Sequence, residues 1–223
     1  SLDEPVADAE INVLATLRLL EACRRIDPIP HLVFASSAAV YGGIVPLPTR
    51  EESAGSPAKP YGVSKLAVEI YLAAFGAAHG MVSTSLRFAN VYGPRQGSRG
   101  EGGVVALFAR DLALGRESRV FGDGRQTRDF VYVGDVADAV TQAVDARLEG
   151  VYNVSTGVET DVLTVYRTLA AAFASRIEPR HKLPRAGDVQ RSALSYEALG
   201  RKLGWRPRTS IERGLSATAE WFR

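Results

Sequence analysis

"FASSAAVYGG" (Phe34–Gly43) and "KPYGVSK" (Lys59–Lys65) decide how this chain is read. The first closes a short apolar run, "IPHLVFASS" (Ile29–Ser37), with two hydroxyls. A run of that length fits a strand buried on both faces of a parallel sheet. The second opens "YGVSKLAVEIYLAAFGAAHG" (Tyr61–Gly80), which reads as a helix that follows Pro60 and stops at Gly80. Residues four apart on a helix share a face, so Tyr61 and Lys65 point the same way. That spacing alone also fits a solvated helix pair. The neighbouring strand changes the weight of it: open α/β sheets bind ligands beyond the carboxyl ends of their strands, where Ser36 and Ser37 would stand.

Working outward, "DAEINVLATLRLLEACRR" (Asp8–Arg25) carries Ile11, Leu14, Leu17, Leu20 and Cys23 at helical spacing. Val45–Pro60 is a loop rich in Pro, Ser and Glu. "MVSTSLRFANVYGP" (Met81–Pro94) is the next strand with its exit turn, Gln96–Gly103 a loop, and "VVALFARDLALG" a helix. Helix, strand, helix, strand, helix implies a parallel sheet with crossovers. Beyond it come a strand, a Gly-Asp-Gly turn, a second strand and a helix in "SRVFGDGRQTRDFVYVGDVADAVTQAVD". "GVYNVSTG" (Gly150–Gly157) is a further strand, followed by a helix capped by Thr160 or Asp161. "SYEALGRKLGW" and "SIERGLSATAEWFR" are short amphipathic helices. The arginines around Arg95–Gly103 and Arg125–Arg128 mark an anion-facing surface.

Composition narrows the class. The 223 residues are 46% apolar and 23% charged, ordinary for a globular protein with a sizeable core. A net charge of +2 supplies no bulk attraction for nucleic acid. The three His show no metal-ligand spacing, and no metal is expected. No window is apolar enough to span a bilayer, and no signal peptide opens the chain, so no membrane partner is expected. Cys23 is the only cysteine; on an apolar helix face it reads as an inert thiol, and a reducing cytoplasm is the natural compartment.

A phenol ionises near pH 10, too high for a base at neutral pH. An ammonium about 4 Å away would favour the phenolate by about 4 kcal/mol at an effective dielectric near 20, roughly three pH units. With a serine hydroxyl to orient an alcohol, such a pair can take the alcohol's proton as hydride leaves its carbon.

The order of "NVLATLRLLEAC", "LVFASSAAVYG", "YGVSKLAVE", "LRFANVYGPRQ", "FGDGRQTRDFVYVGDVADA", "YNVSTG" and "LGWRP" along almost the whole chain resembles the extended short-chain dehydrogenase/reductases, in their NAD-dependent nucleotide-sugar epimerase/dehydratase branch. The resemblance implies an α/β fold: a truncated Rossmann-like parallel sheet with a small C-terminal α/β substrate lobe. The first would take residues 1–95 with a crossover into 129–150, the second mainly 96–223. It also implies NAD as cofactor. Ser37, Tyr61 and Lys65 would then be catalytic, Tyr61 as base and Lys65 lowering its pKa while holding the nicotinamide ribose. Asn12, Ser36 and Ala89 would join Tyr61 and Lys65 around the cofactor. The family's opening strand and glycine-rich turn have no counterpart here, and "GEGG" (Gly100–Gly103) follows the wrong element. The expectation is a fragment that binds NAD poorly by itself.

For substrate, the resemblance assigns Arg128, Arg185, Asp188 and Asn90 to the diphosphate and ribose, and Arg119 and Phe121 to the base. Val104 and Ser37 would line the same site. Ser192 would be a small pocket gate that admits 2-acetamido sugars. Dehydratases of the branch carry Asp-Glu after the catalytic hydroxyl, and here Ala38 and Ala39 follow Ser37. That favours a UDP-hexose 4-epimerase working through a 4-keto sugar. Another nucleotide-sugar dehydratase or reductase, or a non-catalytic fragment, remain the alternatives. The family also pairs helices such as Asp8–Arg25 and Tyr61–Gly80 across a homodimer, in a four-helix bundle.

Overall fold

The computed structural model describes residues 4–43, 46–53, 55–97, 103–185 and 187–223. The glycines Gly100 and Gly102, and Arg99, fall outside the described residues. In chain order the elements are α1 (Pro5–Ala9), a π turn (Glu10–Leu14), α2 (Ala15–Cys23), β1 (Leu32–Ser37), a 3₁₀ turn (Ala38–Tyr41), α3 (Pro60–His79), β2 (Ser83–Phe88) and β3 (Asn90–Tyr92). They continue with α4 (Val104–Ala113), β4 (Arg119–Phe121), β5 (Thr127–Arg128), β6 (Phe130–Tyr132), α5 (Val133–Asp145), β7 (Gly150–Val154) and β8 (Thr160–Asp161). The last are α6 (Val162–Ala172), β9 (Arg180–Lys182), α7 (Glu197–Leu203) and α8 (Ile211–Phe222).

Two compact units emerge. The first takes residues 1–88, 138–154 and 194–205; the second takes 89–137, 155–193 and 206–223. The division thus falls after Phe88, ahead of the sequence-based one after residue 95. Residues 194–205 return to the first unit because Leu194 forms a parallel bridge with Thr49 and the Ser195 amide donates to the Thr49 carbonyl at 2.8 Å.

In the first unit β1, β2 and β7 form a parallel sheet in that spatial order, with Ser37 level with Phe88 and Phe88 with Val154. Parallel pairing needs crossovers, and α3 supplies the one from β1 to β2. Its start is set by Pro60 in the first turn and its end by Gly80, which takes a left-handed φ of 68° and donates to the Gly76 carbonyl. Leu20, Cys23, Val68, Leu72 and Met81 make the unit's core, joined by Leu17, Leu32 and Phe34. Burial of each such side chain contributes about 1.5–3 kcal/mol.

Two expectations change here. The apolar stripe of Asp8–Arg25 buries only its second half: Leu20 and Cys23 are inside, while Ile11 is 71% exposed. Ile11 falls within the π turn, Glu10–Leu14, where wider winding breaks the helical phase of the stripe. β1 is also less buried than a two-faced interior strand. Only Ser36 of its six residues is fully covered, because among the described strands β1 has one neighbour, β2.

In the second unit, β3 pairs β6 and β4 pairs β9 in parallel, and β5 pairs β8 antiparallel. Helices α4, α6 and α8 pack together around Phe108, Val165, Tyr166, Leu169 and Leu215. Asp161 caps α6, its carboxylate accepting from the Thr164 amide at 2.8 Å.

Beneath the β1 edge of the first unit lies a buried polar network. Glu69 of α3 takes a two-pronged contact from Arg87 of β2, with Nη2–Oε2 at 2.6 Å and Nε–Oε1 at 3.0 Å. The two side chains are 4% and 8% exposed. Glu69 also accepts from the Ser36 hydroxyl, and the Arg87 guanidinium stacks on Tyr41 at 4.8 Å. Removing one member of a buried pair strands the other charge, whereas replacing both with apolar groups does not. Glu69→Ala is therefore expected to lower unfolding free energy by about 3 kcal/mol in chemical denaturation, and the double replacement Glu69→Leu with Arg87→Met by much less.

Candidate functional site

Ser37, Tyr61 and Lys65 come together at the carboxyl end of β1. Ser37 ends the strand in extended conformation and caps the 3₁₀ turn, its hydroxyl accepting from the Ala39 amide at 3.2 Å. Ser37 is near enough to the Tyr61 phenol to draw its pKa down. Lys65 follows one turn along α3, its Nζ 5.5 Å from the Tyr61 ring centroid and 4.8 Å from that of Phe34. Tyr61 as a whole is 39% exposed.

The approach is held by glycine. A Cβ on Gly62 would collide with the Ala39 carbonyl oxygen and stand 2.9 Å from Pro57 Cβ. Only a residue without a side chain lets the first turn of α3 sit this close to the turn after Ser37.

The electrostatics differ from the sequence expectation. Burial pushes the Tyr61 phenol above its ordinary pKa, against the Ser37 hydrogen bond that lowers it, and a nearby carboxylate, Asp8, raises it further. Burial pulls Lys65 below its ordinary value, with Asp8 opposing. The helical spacing predicts that Lys65 lowers the Tyr61 pKa; the net shift of the phenol here is upward, because burial outweighs what lowers it, and the Lys65 ammonium lies over ring faces and is itself partly desolvated.

Asn12 lies in the π turn, its amide donating to the Asp8 carbonyl at 3.1 Å. Ser36 does not join the set. Alternation along β1 turns its hydroxyl to the opposite face, onto Glu69, and leaves only its backbone for any ligand on the Ser37 side. Glu69 is a residue that sequence reasoning misses. The signal is present: Tyr61, Lys65 and Glu69 fall at i, i+4 and i+8 of one helix face. Asp8 is missed too, and no local pattern marks it.

The remaining candidates belong to the second unit, which opens at Ala89, a half-buried residue between β2 and β3. Arg128 reaches Asp188 at 2.6 Å, and Arg185 stacks on Phe121 with its guanidinium carbon 3.9 Å from the ring centroid. Asn90 is exposed at the start of β3, Arg119 exposed on β4, and Val104 half-buried at the first turn of α4. Ser192 is half-buried beside Arg191, whose guanidinium holds Glu159 at 2.5 Å. Arg191 keeps the Glu159 carboxyl below its usual range, helped by the Thr127 hydroxyl.

The comparisons with known proteins fit both units. The model of the NAD dependent epimerase/dehydratase family matches residues 1–155. The chain belongs to that family. A UDP-glucose 4-epimerase of Mycolicibacterium smegmatis is 40% identical over 224 residues, covering 100% of this chain and 72% of the relative. The crystal structure of a UDP-glucose 4-epimerase from Thermotoga maritima with UDP-glucose aligns at a TM-score of 0.95 and 40% identity, covering 100% of this chain and 72% of that one. A Thermus thermophilus UDP-glucose 4-epimerase in complex with NAD aligns at a TM-score of 0.92 and 41% identity, with coverage of 100% and 73%. The fold class read from the sequence, a Rossmann-like α/β chain with a parallel sheet, holds.

The residues present fit one end of the NAD that the family uses. Lys65 has no ion pair among the described residues and Tyr61 is 39% exposed, a pairing that suits contact with a ribose hydroxyl pair. Among the described residues no strand-to-helix glycine turn is present to meet a pyrophosphate.

Gly62→Ala is expected to cost about 1–3 kcal/mol in urea denaturation, the usual range for overpacking against a rigid neighbour. The same change should part Ser37 from Tyr61.

Proposed function

We propose that this protein epimerises a nucleotide sugar of the UDP-hexose type at C4, with NAD, through a 4-keto sugar. The observation that carries the reading is the Ser37–Tyr61–Lys65 cluster followed by Ala38 and Ala39. The cluster can take and return the proton of a secondary alcohol. The residues after Ser37 offer no carboxylate to expel a neighbouring hydroxyl, which disfavours a dehydratase.

Tyr61 is the base. It takes the proton of the sugar 4-hydroxyl, oriented by Ser37, and gives it back after the ketone has turned. Bound NAD would supply reversible hydride acceptance at C4, and Lys65, Tyr61 and Asn12 would hold its nicotinamide ribose, with Ser36 and Ala89 lending backbone. In the free chain burial raises the Tyr61 pKa further, so the positive charge of an oxidised cofactor beside it would favour its ionisation.

A nucleotide sugar also presents a diphosphate and a base. Arg128 and Arg185 suit the first, since guanidinium matches phosphate geometry, and Phe121 offers a face for the second. Arg119, Asn90, Val104 and Asp188 complete that set. Ser192, small and half-buried, would admit a 2-acetamido group. A second copy of the chain is the expected partner. Ile11 and Val6 (both 71% exposed), Ile70 (63%) and Val63 (52%) leave apolar faces on α1, the π turn and α3 that two copies could bury in a four-helix bundle. The lone buried Cys23 suits a reducing cytoplasm.

Conversion of UDP-glucose to UDP-galactose by the protein supplied with NAD is the test. Tyr61→Phe is expected to lower the rate at least about 100-fold with an unchanged circular dichroism spectrum. Net build-up of NADH would point to a dehydrogenase instead. Ser192→Tyr should suppress conversion of N-acetylated substrates selectively; equal loss on both classes counts against the gate. By analytical ultracentrifugation, Ile70→Glu should shift a dimer to monomer.

A further inference from the structure

Of the three side chains in the candidate site, Tyr61 and Lys65 ride on α3 and Ser37 on β1. Their separation depends on what joins the helix to the strand. Gly62 permits the close approach but has no side chain with which to hold it. The hold is made two turns further along α3. There Glu69, 7% exposed, accepts from the hydroxyl of Ser36, the residue before Ser37 and itself 3% exposed.

The same carboxylate reaches the chain beyond Ser37. Arg87 binds it through Nη2 and Nε, and the guanidinium carbon stands 4.8 Å from the Tyr41 ring centroid. Tyr41 closes the turn that Ser37 caps, and its hydroxyl donates to Asn153 at 2.7 Å. Ser37 is thus flanked by two anchors, one bonded to Glu69 and one reached through Arg87. Successive side chains of a strand point to opposite faces, so fixing Ser36 on Glu69 also fixes the direction of Ser37.

We propose that Glu69 is a positioning residue: it bonds α3 to the strand end that carries Ser37 and so sets how far the Ser37 hydroxyl stands from Tyr61. That this separation serves an alcohol rests on the function proposed above; the separation itself does not. Glu69 lies eight residues from Tyr61, about 12 Å along the helix axis, so it acts through the backbone it ties down and not on a reacting atom. The lever is a large one, because a misplacement of about 1 Å at a catalytic group can cost about 100-fold in rate.

Ser36→Ala removes the bond to the strand and leaves the Glu69–Arg87 pair in place. In crystals of the full chain, the Ser37 Oγ to Tyr61 Oη separation is expected to widen by about 1 Å relative to wild type. With NAD and UDP-glucose, kcat should fall about 10- to 100-fold while KM stays within about twofold, the pattern of an interaction that counts in the transition state. Ser36→Thr keeps the hydroxyl and should restore both readings. Ser36→Cys, close in shape with a weak donor, repeats the test if Ser36→Ala does not fold. Leu20→Ala opens the core of the same unit away from this bond, so its melting temperature should fall while kcat stays near wild type.

An unmoved Ser37–Tyr61 separation in folded Ser36→Ala overturns the proposal. So does a kcat loss in Leu20→Ala as large as that in Ser36→Ala, which would make the effect one of general stability. The crystal reading needs no turnover. A widened separation in a protein that fails to convert UDP-sugars would sink the proposed reaction and keep the role of Glu69; an unmoved separation in an active epimerase would do the reverse.

Discussion

A carboxylate and a guanidinium, both nearly out of water, face each other between α3 and β2. Such a pair is worth little by itself, because desolvation consumes most of the attraction. Its importance lies in geometry. Glu69 accepts from Ser36 as well as from Arg87, and Arg87 reaches the Glu51 carbonyl and the Tyr41 ring. Burial would lower the Arg87 pKa, yet the bonds to Glu69 and Tyr41 outweigh it and hold the side chain cationic. Tyr41 then passes the constraint to Asn153 of β7, whose amide ties down Thr49 and Ser195. Three parallel strands, one helix and a loop share one set of satisfied polar contacts.

That network lies on the same helical face as Tyr61 and Lys65, two turns along. The inner end of the face is locked by charge and the outer end is left open. Gly62 then lets the open end meet the turn after Ser37 at a distance no side chain would allow. Burial shifts the phenol upward and the ammonium downward there, in place of the lowered phenol that a bare Tyr–Lys spacing implies. In the second unit the cationic groups are likewise occupied, Arg128 by Asp188 and Arg185 by the face of Phe121. An incoming anion would have to take those contacts over.

Much of this is open to reading without coordinates. The Pro60 start and Gly80 stop of α3, the Asp161 cap and the strand order through "RDFVYV" follow from Pro, Gly and Asx chemistry acting within a few residues. Less accessible are the features that depend on a neighbour far along the chain. The outward turn of Ile11 needs the π turn, and no residue from Glu10 to Leu14 announces one. The Ser36 hydroxyl reads like that of Ser37 until the pleat sends it to Glu69.

The sequence alone determined the class of the chain and the chemistry it could carry, because helix spacing, strand-end hydroxyls and helix stops are set by local backbone sterics and hydrogen bonding. Only the tertiary structure decided which way the pKa values of that chemistry are shifted. Burial, the Ser37 contact and the charge of Asp8 act through space, over separations of 24 to 57 residues from Tyr61 and Lys65, and a pKa is set by whatever stands within a few ångströms, irrespective of where it lies in the chain.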